Sequence, residues 1–196
     1  MRKLIVCNIM SLDGYYEGPA SNVMVLPMDH TFDAYNVERL RAADTPLLGR
    51  NTYVGFKSFW PGMAKNPEAT PDHREISHRN NAIDKVVVSD SLSPADTAPW
   101  HNTRIVRRAK AYAEIAELKT RPGNDILVFG SRTLWNDLLA HDLVDELHLM
   151  IGAVVVGSGT PAFAAEPPGS LRLIDARTAN GSENVIVRYA IDRVTP

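Results

Sequence analysis

The chain has 196 residues, of which 44% are hydrophobic and 22% charged, with a net charge of −2 and a single cysteine. This length suits one domain, residues 1–196, that buries roughly 70% of its unfolded surface. The small net charge gives no field to recruit nucleic acid or anionic lipid, one cysteine excludes an intrachain disulfide and a cysteine-rich metal site, and no apolar run approaches the ~20 residues of a membrane span.

Lys3 to Met10 is a nearly continuous run of branched apolar residues, as in a strand covered on both faces. It begins within three residues of the start, without the apolar stretch of a signal peptide, so a cytoplasmic protein is expected. Cys7 within it reads as a buried structural thiol. Ser11-Leu12-Asp13-Gly14 ends the strand in a turn. Asp29 to Ala43 has helical spacing at Phe32, Tyr35, Leu40 and Ala43, with Asp29 placed to cap the amino end. Pro46-Leu47-Leu48 is a short strand that stops at Gly49 and opens a helical turn. From Phe59 to Asn81 the chain is polar, rich in Pro, Gly, His and Asn, and shows no sustained period; it reads as a long surface loop near the site. His73 and His78 fall in it with nothing to align them, and no metal site is expected.

Lys85 to Ser89 and Thr103 to Val106 are further strands, followed by a helix over Ala109–Lys119 that Pro122-Gly123 closes. Ile126–Phe129 and Glu146–Ile151 flank a helix over Leu134–Leu143, and His148 alternates within the second strand as a packed or rim histidine rather than a catalytic one. The Glu146–Val156 stretch reads as an exposed strand and a surface for a homodimer. Leu171–Thr178 and Asn184–Ile191 are joined through Asn180-Gly181, a hairpin signal. Strands alternating with helices and a final hairpin predict an α/β fold with a mainly parallel central sheet flanked by helices and an antiparallel C-terminal hairpin.

Three strand ends carry small polar residues: Gly49-Arg50-Asn51-Thr52, Ser89-Asp90-Ser91 and Gly130-Ser131-Arg132-Thr133-Leu134. A strand that ends in small residues and opens a helix aims unpaired N–H groups and a helix dipole at one spot, which suits phosphate. Arg50 adds a fork for phosphate and Thr52 a hydroxyl. Ligands of open α/β sheets bind outside the carboxyl ends of strands, where all three turns lie, so two or more phosphate turns point to a dinucleotide. Gly157-Ser158-Gly159 lacks the third glycine and the helix of a Rossmann fingerprint, and neither a Walker A run, a nucleophile elbow nor a His-Glu-x-x-His motif is present. Two carboxylates are candidate catalytic groups. Asp33 adjoins Phe32 on the apolar stripe of its helix, where a pocket would disfavour its charged form and suit it to proton donation. Asp13, at the end of the first strand, is either a site carboxylate or a turn residue bonding its own backbone.

Taken in order, Ser11-Leu12-Asp13-Gly14, Leu47-Leu48-Gly49-Arg50-Asn51-Thr52-Tyr53, Val86-Val87-Val88-Ser89, Phe129-Gly130-Ser131 and Asp145-Glu146-Leu147 running on to Gly157-Ser158-Gly159-Thr160-Pro161 resemble the dihydrofolate reductase-like superfamily. Within it the chain is most similar to the reductase domain of bacterial riboflavin biosynthesis, the C-terminal half of a bifunctional deaminase-reductase. The resemblance implies hydride transfer from NADPH to a small polar substrate, as in reduction of 5-amino-6-(5-phosphoribosylamino)uracil. It implies that Gly49, Arg50 and Thr52 hold phosphates, that Ser89 lies near the adenosine 2′-phosphate, and that Gly130, Ser131, Thr133 and Leu134 line the pyrophosphate. Ile9 and Leu12 would border the nicotinamide, and Asp33 falls where dihydrofolate reductases keep their site carboxylate. Two departures matter. Asp90 stands where many relatives have a basic residue, which brings NADH into consideration. The zinc deaminase pattern is absent, so the substrate need not be the riboflavin precursor. The alternatives are a nucleotide-binding protein without turnover and a dihydrofolate reductase proper.

Overall fold

The computed structural model describes residues 1–193. Its strands and α-helices, in chain order, are β1 (Leu4–Ser11), β2 (Tyr15–Glu17), α1 (His30–Ala42), β3 (Ala43–Gly49), α2 (Arg50–Met63), α3 (Pro71–Ala82), β4 (Lys85–Val88), β5 (Thr103–Val106), α4 (Arg108–Thr120), β6 (Asp125–Phe129), α5 (Arg132–Ala140), β7 (Glu146–Gly152), β8 (Thr160–Pro161), β9 (Ser170–Thr178) and β10 (Val185–Asp192). Eight strands form one sheet in the order β5-β4-β3-β6-β1-β7-β10-β9. The first six run parallel, and β10 and β9 complete the sheet antiparallel as a hairpin. The short β2 and β8 pair separately.

Both faces of the parallel strands are covered, which is why β1, β4 and β6 are nearly continuous apolar runs. Alternate residues of each strand enter opposite cores. Ile5, Cys7 and Ile9 of β1 pack with Leu127 and Phe129 of β6, Tyr35 and Leu40 of α1, and Tyr53 of α2. Leu4 and Val6 pack on the other face with Val128 of β6, Ile115 of α4, and Trp135 and Leu138 of α5. Thus α1 and α2 lie on one side and α4 and α5 on the other. β3 and β6 are neighbours in the sheet, yet the helices that leave their carboxyl ends diverge to opposite faces. That divergence marks a topological switch point at the carboxyl strand ends, the usual position for a ligand in this architecture.

The first core also holds His148. It is fully buried, its Nδ1 lies 2.7 Å from the Tyr35 hydroxyl, and its Nε2 lies 2.8 Å from Glu146 Oε2. It is a packed histidine, in keeping with its alternation in β7. Burial likewise pushes the Cys7 thiol up to about 12, so it stays protonated and inert.

Two expectations are overturned. Residues Phe59–Asn81 are not a surface loop: α2 runs on to Met63, and α3 follows from Pro71. The start of α3 is conventional, with Thr70 Oγ1 accepting from the His73 N–H and Pro71 at the first helical position. Its buried residues are Ile76, Ser77 and Asn80. Apolar periodicity misses such a helix because its inner face is mostly polar. Ser77 Oγ donates to the Trp60 carbonyl at 2.5 Å and accepts from the Ala64 N–H at 2.9 Å, satisfying the end of α2. Second, the Glu146–Val156 stretch is not an exposed strand. β7 lies between β1 and β10 and is mostly buried, and the edge belongs instead to β9.

Candidate active site

The turns after β3 and β6 meet at the carboxyl ends of the strands and hold each other. The Gly49 N–H donates to Ser131 Oγ at 2.9 Å, and the Ser131 N–H donates to Thr52 Oγ1 at 2.9 Å. A serine at the start of a helix ordinarily caps it. Here Ser131 spends its hydroxyl on the neighbouring turn, so no side chain caps α5, and Gly49 has none to cap α2. By contrast, Asp29 caps α1 and Thr70 caps α3. The first-turn amides of α2 and α5, at adjacent strand ends, are therefore left without a cap from their N-cap side chains.

Gly130 and Ser131 are both left-handed, at φ +54° each. The Ser131 N–H is spent on Thr52 within the turn, so an anion here would meet the first amides of α5 instead. Ser131 is left-handed without the freedom of glycine, a strained conformation held by its two hydrogen bonds. A side chain on Gly130 would come within 3.2 Å of Thr52 and of the Tyr16 hydroxyl, and one on Gly49 within 3.4 Å of Ser131 Oγ. The exposed Arg50 and Thr133 and the half-buried Leu134 flank these turns. The hydroxyls of Ser131 and Thr52 and the first-turn amides beside them are the groups here that could meet a phosphate. Tyr16 was not legible in the sequence as a site residue. Burial pushes its hydroxyl up to about 12, which makes it a neutral hydrogen-bonding group there.

The third turn is built differently. Ser89 is buried, and its Oγ accepts from the N–H groups of Ser91 at 3.2 Å and Leu92 at 3.1 Å. Arg107 donates to the carbonyls of Ser89 and Leu92 at 2.8 and 2.9 Å. Asp90 accepts from the Arg108 N–H at 3.0 Å at the amino end of α4, and its other oxygen lies 3.6 Å from Arg108 Nε. This turn satisfies itself, and its carboxylate already occupies the helix end.

Ile9 is buried near the end of β1, and Leu12 beyond it is 66% exposed, with its N–H donating to the Val154 carbonyl at 2.8 Å. Asp13 accepts from Ser11 Oγ at 2.6 Å and from the N–H groups of Val156 and Gly157 at 3.0 and 2.7 Å. Led by the Ser11 hydrogen bond, these donors pull its carboxyl down to about 2. Asp13 thus anchors the segment after β7, the turn role rather than proton donation.

Asp33 lies on the first turn of α1, half-buried, with Oδ2 2.9 Å from His73 Nε2 on α3. Burial pushes its carboxyl above the usual range, and His73 offsets part of that shift. His73 meets Trp60 and Phe59 of α2 edge-on, at ring separations of 5.7 and 6.4 Å. Trp60 and Phe129 lie 6.3 and 6.5 Å from Phe56 on either side of it, so an aromatic wall leads from the Gly130 turn to the Asp33–His73 pair. His73 was missed with the helix that carries it. The Thr70-Pro71 start was the one signal that could have found both.

The family model of the RibD C-terminal domain matches residues 2–187. The chain is 28% identical over 189 residues to the uncharacterized protein YyaP of Bacillus subtilis, covering 96% of this chain and 95% of that one. Among solved structures, it is similar to one described as a riboflavin biosynthesis protein from Shewanella sp. PV-4, with a TM-score of 0.67, 20% identity, and coverage of 97% and 99%. It is also similar to the diaminohydroxyphosphoribosylaminopyrimidine deaminase/5-amino-6-(5-phosphoribosylamino)uracil reductase of Thermotoga maritima, with a TM-score of 0.65 and 12% identity. There it covers 97% of its own length and 57% of the larger protein. Among the described residues, no helix is long and apolar enough to cross a membrane.

Proposed function

Because the chain belongs to the RibD C-terminal domain family, we propose that it is a pyridine-nucleotide-dependent reductase acting on a small polar heterocycle or sugar carbonyl. The observation that carries this reading is the reciprocal bonding of Gly49, Thr52 and Ser131, which fixes the amino ends of α2 and α5 side by side, as a site for a bridged pair of phosphates requires. In this reading Gly49, Arg50 and Thr52 hold one end of the phosphate bridge, and Gly130, Ser131, Thr133 and Leu134 line the pyrophosphate. Ile9 and Leu12 border the nicotinamide, and the Ser89 turn lies on the adenosine side. The cofactor is NADPH: the charge of Asp90 is answered by Arg108 and by the helix end it caps, which supports acceptance of a 2′-phosphate nearby. A reduced nicotinamide supplies hydride; the chain supplies orientation, dry aromatic walls and a proton.

Asp33 is the proton donor, supported by its half-buried position at the end of the aromatic wall and its raised pKa. Asp13 holds the segment after β7 in place. The exposed apolar edge of β9, with Leu171, Leu173 and Ile174, supports a homodimer. The test is NADPH oxidation with 5-amino-6-(5-phosphoribosylamino)uracil as acceptor, followed at the nicotinamide absorbance. Turnover that disappears in Asp33→Asn supports the proposal. Wild-type protein that binds NADPH but reduces neither this acceptor nor related pyrimidines argues for a nucleotide-binding protein instead.

A further inference from the structure

We infer that His73 is a positioning residue that returns the proton to Asp33 between turnovers, so that the working acid is a carboxyl–imidazole pair spanning α1 and α3. The inference rests on the reductase reading above. It begins from a contact that the folding of α3 creates: His73 Nε2 lies 2.9 Å from Asp33 Oδ2. The two side chains are 31% and 18% exposed, so Asp33 faces mainly inward while His73 keeps a path to solvent. Trp60 and Phe59 fix the imidazole edge-on from α2. Its backbone is fixed as well, through the Thr70 cap.

A half-buried carboxyl that gives up a proton in each cycle must regain it, and the apolar wall slows direct exchange with water. An imidazole is suited to that transfer because it exchanges protons with water near neutral pH. As hydride brings two electrons to the acceptor carbon, the π bond to its oxygen or nitrogen breaks. The electron pair moves to that heteroatom, which takes the proton of the Asp33 carboxyl. Asp33 then takes a proton from the imidazolium of His73, and His73 is reprotonated from solvent. The charged groups acting on Asp33 are His73 and Asp72 from α3 and Asp29 from the start of α1. The α2 residues facing His73 are the aromatic Phe59 and Trp60. Both aspartates work against ionisation of Asp33, and His73 is the partner that favours it.

The experiment compares wild type, His73→Gln and Asp33→Asn. Gln can still donate a hydrogen bond to Asp33 but cannot carry a proton. NADPH-induced stabilisation is measured in each, the Asp33 carboxyl is titrated by NMR in wild type and His73→Gln, and turnover with 5-amino-6-(5-phosphoribosylamino)uracil is followed against pH. The inference requires His73→Gln to keep the NADPH shift and KM, and to raise the Asp33 titration further. It also requires kcat to fall about ten-fold or more, within the range of general-acid effects, and the alkaline limb of the pH profile to follow the Asp33 titration to higher pH. An Asp33 titration that ignores His73→Gln overturns it, as does an unchanged kcat and pH profile in that variant beside an inactive Asp33→Asn. Wild type that NADPH fails to stabilise overturns the reductase reading and the relay with it, even where the NMR coupling between the two residues is present.

Discussion

Asp13 and Asp33 are two carboxylates near the carboxyl ends of the parallel strands, and their surroundings drive them in opposite directions. Three donors gather on Asp13 and hold it ionised to about 2. Asp33 has one partner, is half-buried, and is pushed upward. The first is suited to tie a segment down and the second to release a proton. Residue type alone does not separate them; the count of donors and the depth of burial do.

The sharpest way to break the comparison is Asp33→Asn. General acids contribute roughly 10²–10⁴-fold, so kcat should fall at least 100-fold while NADPH binding persists. Stability should move the other way. A carboxyl whose folded pKa is raised gains stability as pH falls through that pKa and costs stability once ionised, so the variant should melt at or above the wild-type temperature at pH 7. Equal loss of turnover and nucleotide binding would make Asp33 structural. Ser131→Ala comes next. It strips the acceptor from the Gly49 N–H, and about 1–2 kcal/mol should be lost, a fall in Tm of roughly 2–8 °C, together with weaker NADPH binding. A variant as stable as wild type, with unchanged NADPH affinity, would show that the interlocked turns are incidental.

Asp13→Asn should leave kcat close to wild type but change the acid limb of stability. The folded pKa of Asp13 is depressed, so its contribution is present above the ordinary carboxylate range and is lost as pH falls from about 4 towards about 2. Thermal melts across that window should decline less steeply in the variant. A large loss of kcat would return Asp13 to the catalytic group. The smallest effect belongs to Asp90→Ser. Its carboxylate is 58% exposed and paired with Arg108, so screening limits its influence. The ratio of NADPH to NADH affinity should rise only about two- to five-fold, and a change of 100-fold would show Asp90 to be the main selector.

Much of this could be read in the chain because it is local. The strand runs, the strand-end turns at Gly49 and Gly130, the Asp29 cap and the Asn180-Gly181 hairpin each depend on a few consecutive residues. What escaped is tertiary. Ser131 could have been an ordinary cap, and only the adjacency of β3 and β6 turns its hydroxyl to Gly49. α3 hid because its inner face is Ile76, Ser77 and Asn80, and with it went His73, whose role depends on a carboxylate far away in sequence. β7 looked exposed because a half-polar run such as Glu146-Leu147-His148 suits an edge. The polar residues are instead consumed inside, by Tyr35, Lys3 and each other.

The most direct test of the central claim is thermal unfolding of wild type and Gly130→Val with and without NADPH, at a ligand concentration near 100 times the dissociation constant. Binding at that level adds about 2.7 kcal/mol, and the wild-type Tm should rise by several degrees. Gly130→Val should unfold cooperatively at a lower temperature and show no shift, because valine is strained at φ +54° and meets Thr52 and Tyr16. A wild type that NADPH does not stabilise, or a Gly130→Val protein stabilised as much as wild type, would contradict a nucleotide held between the two turns.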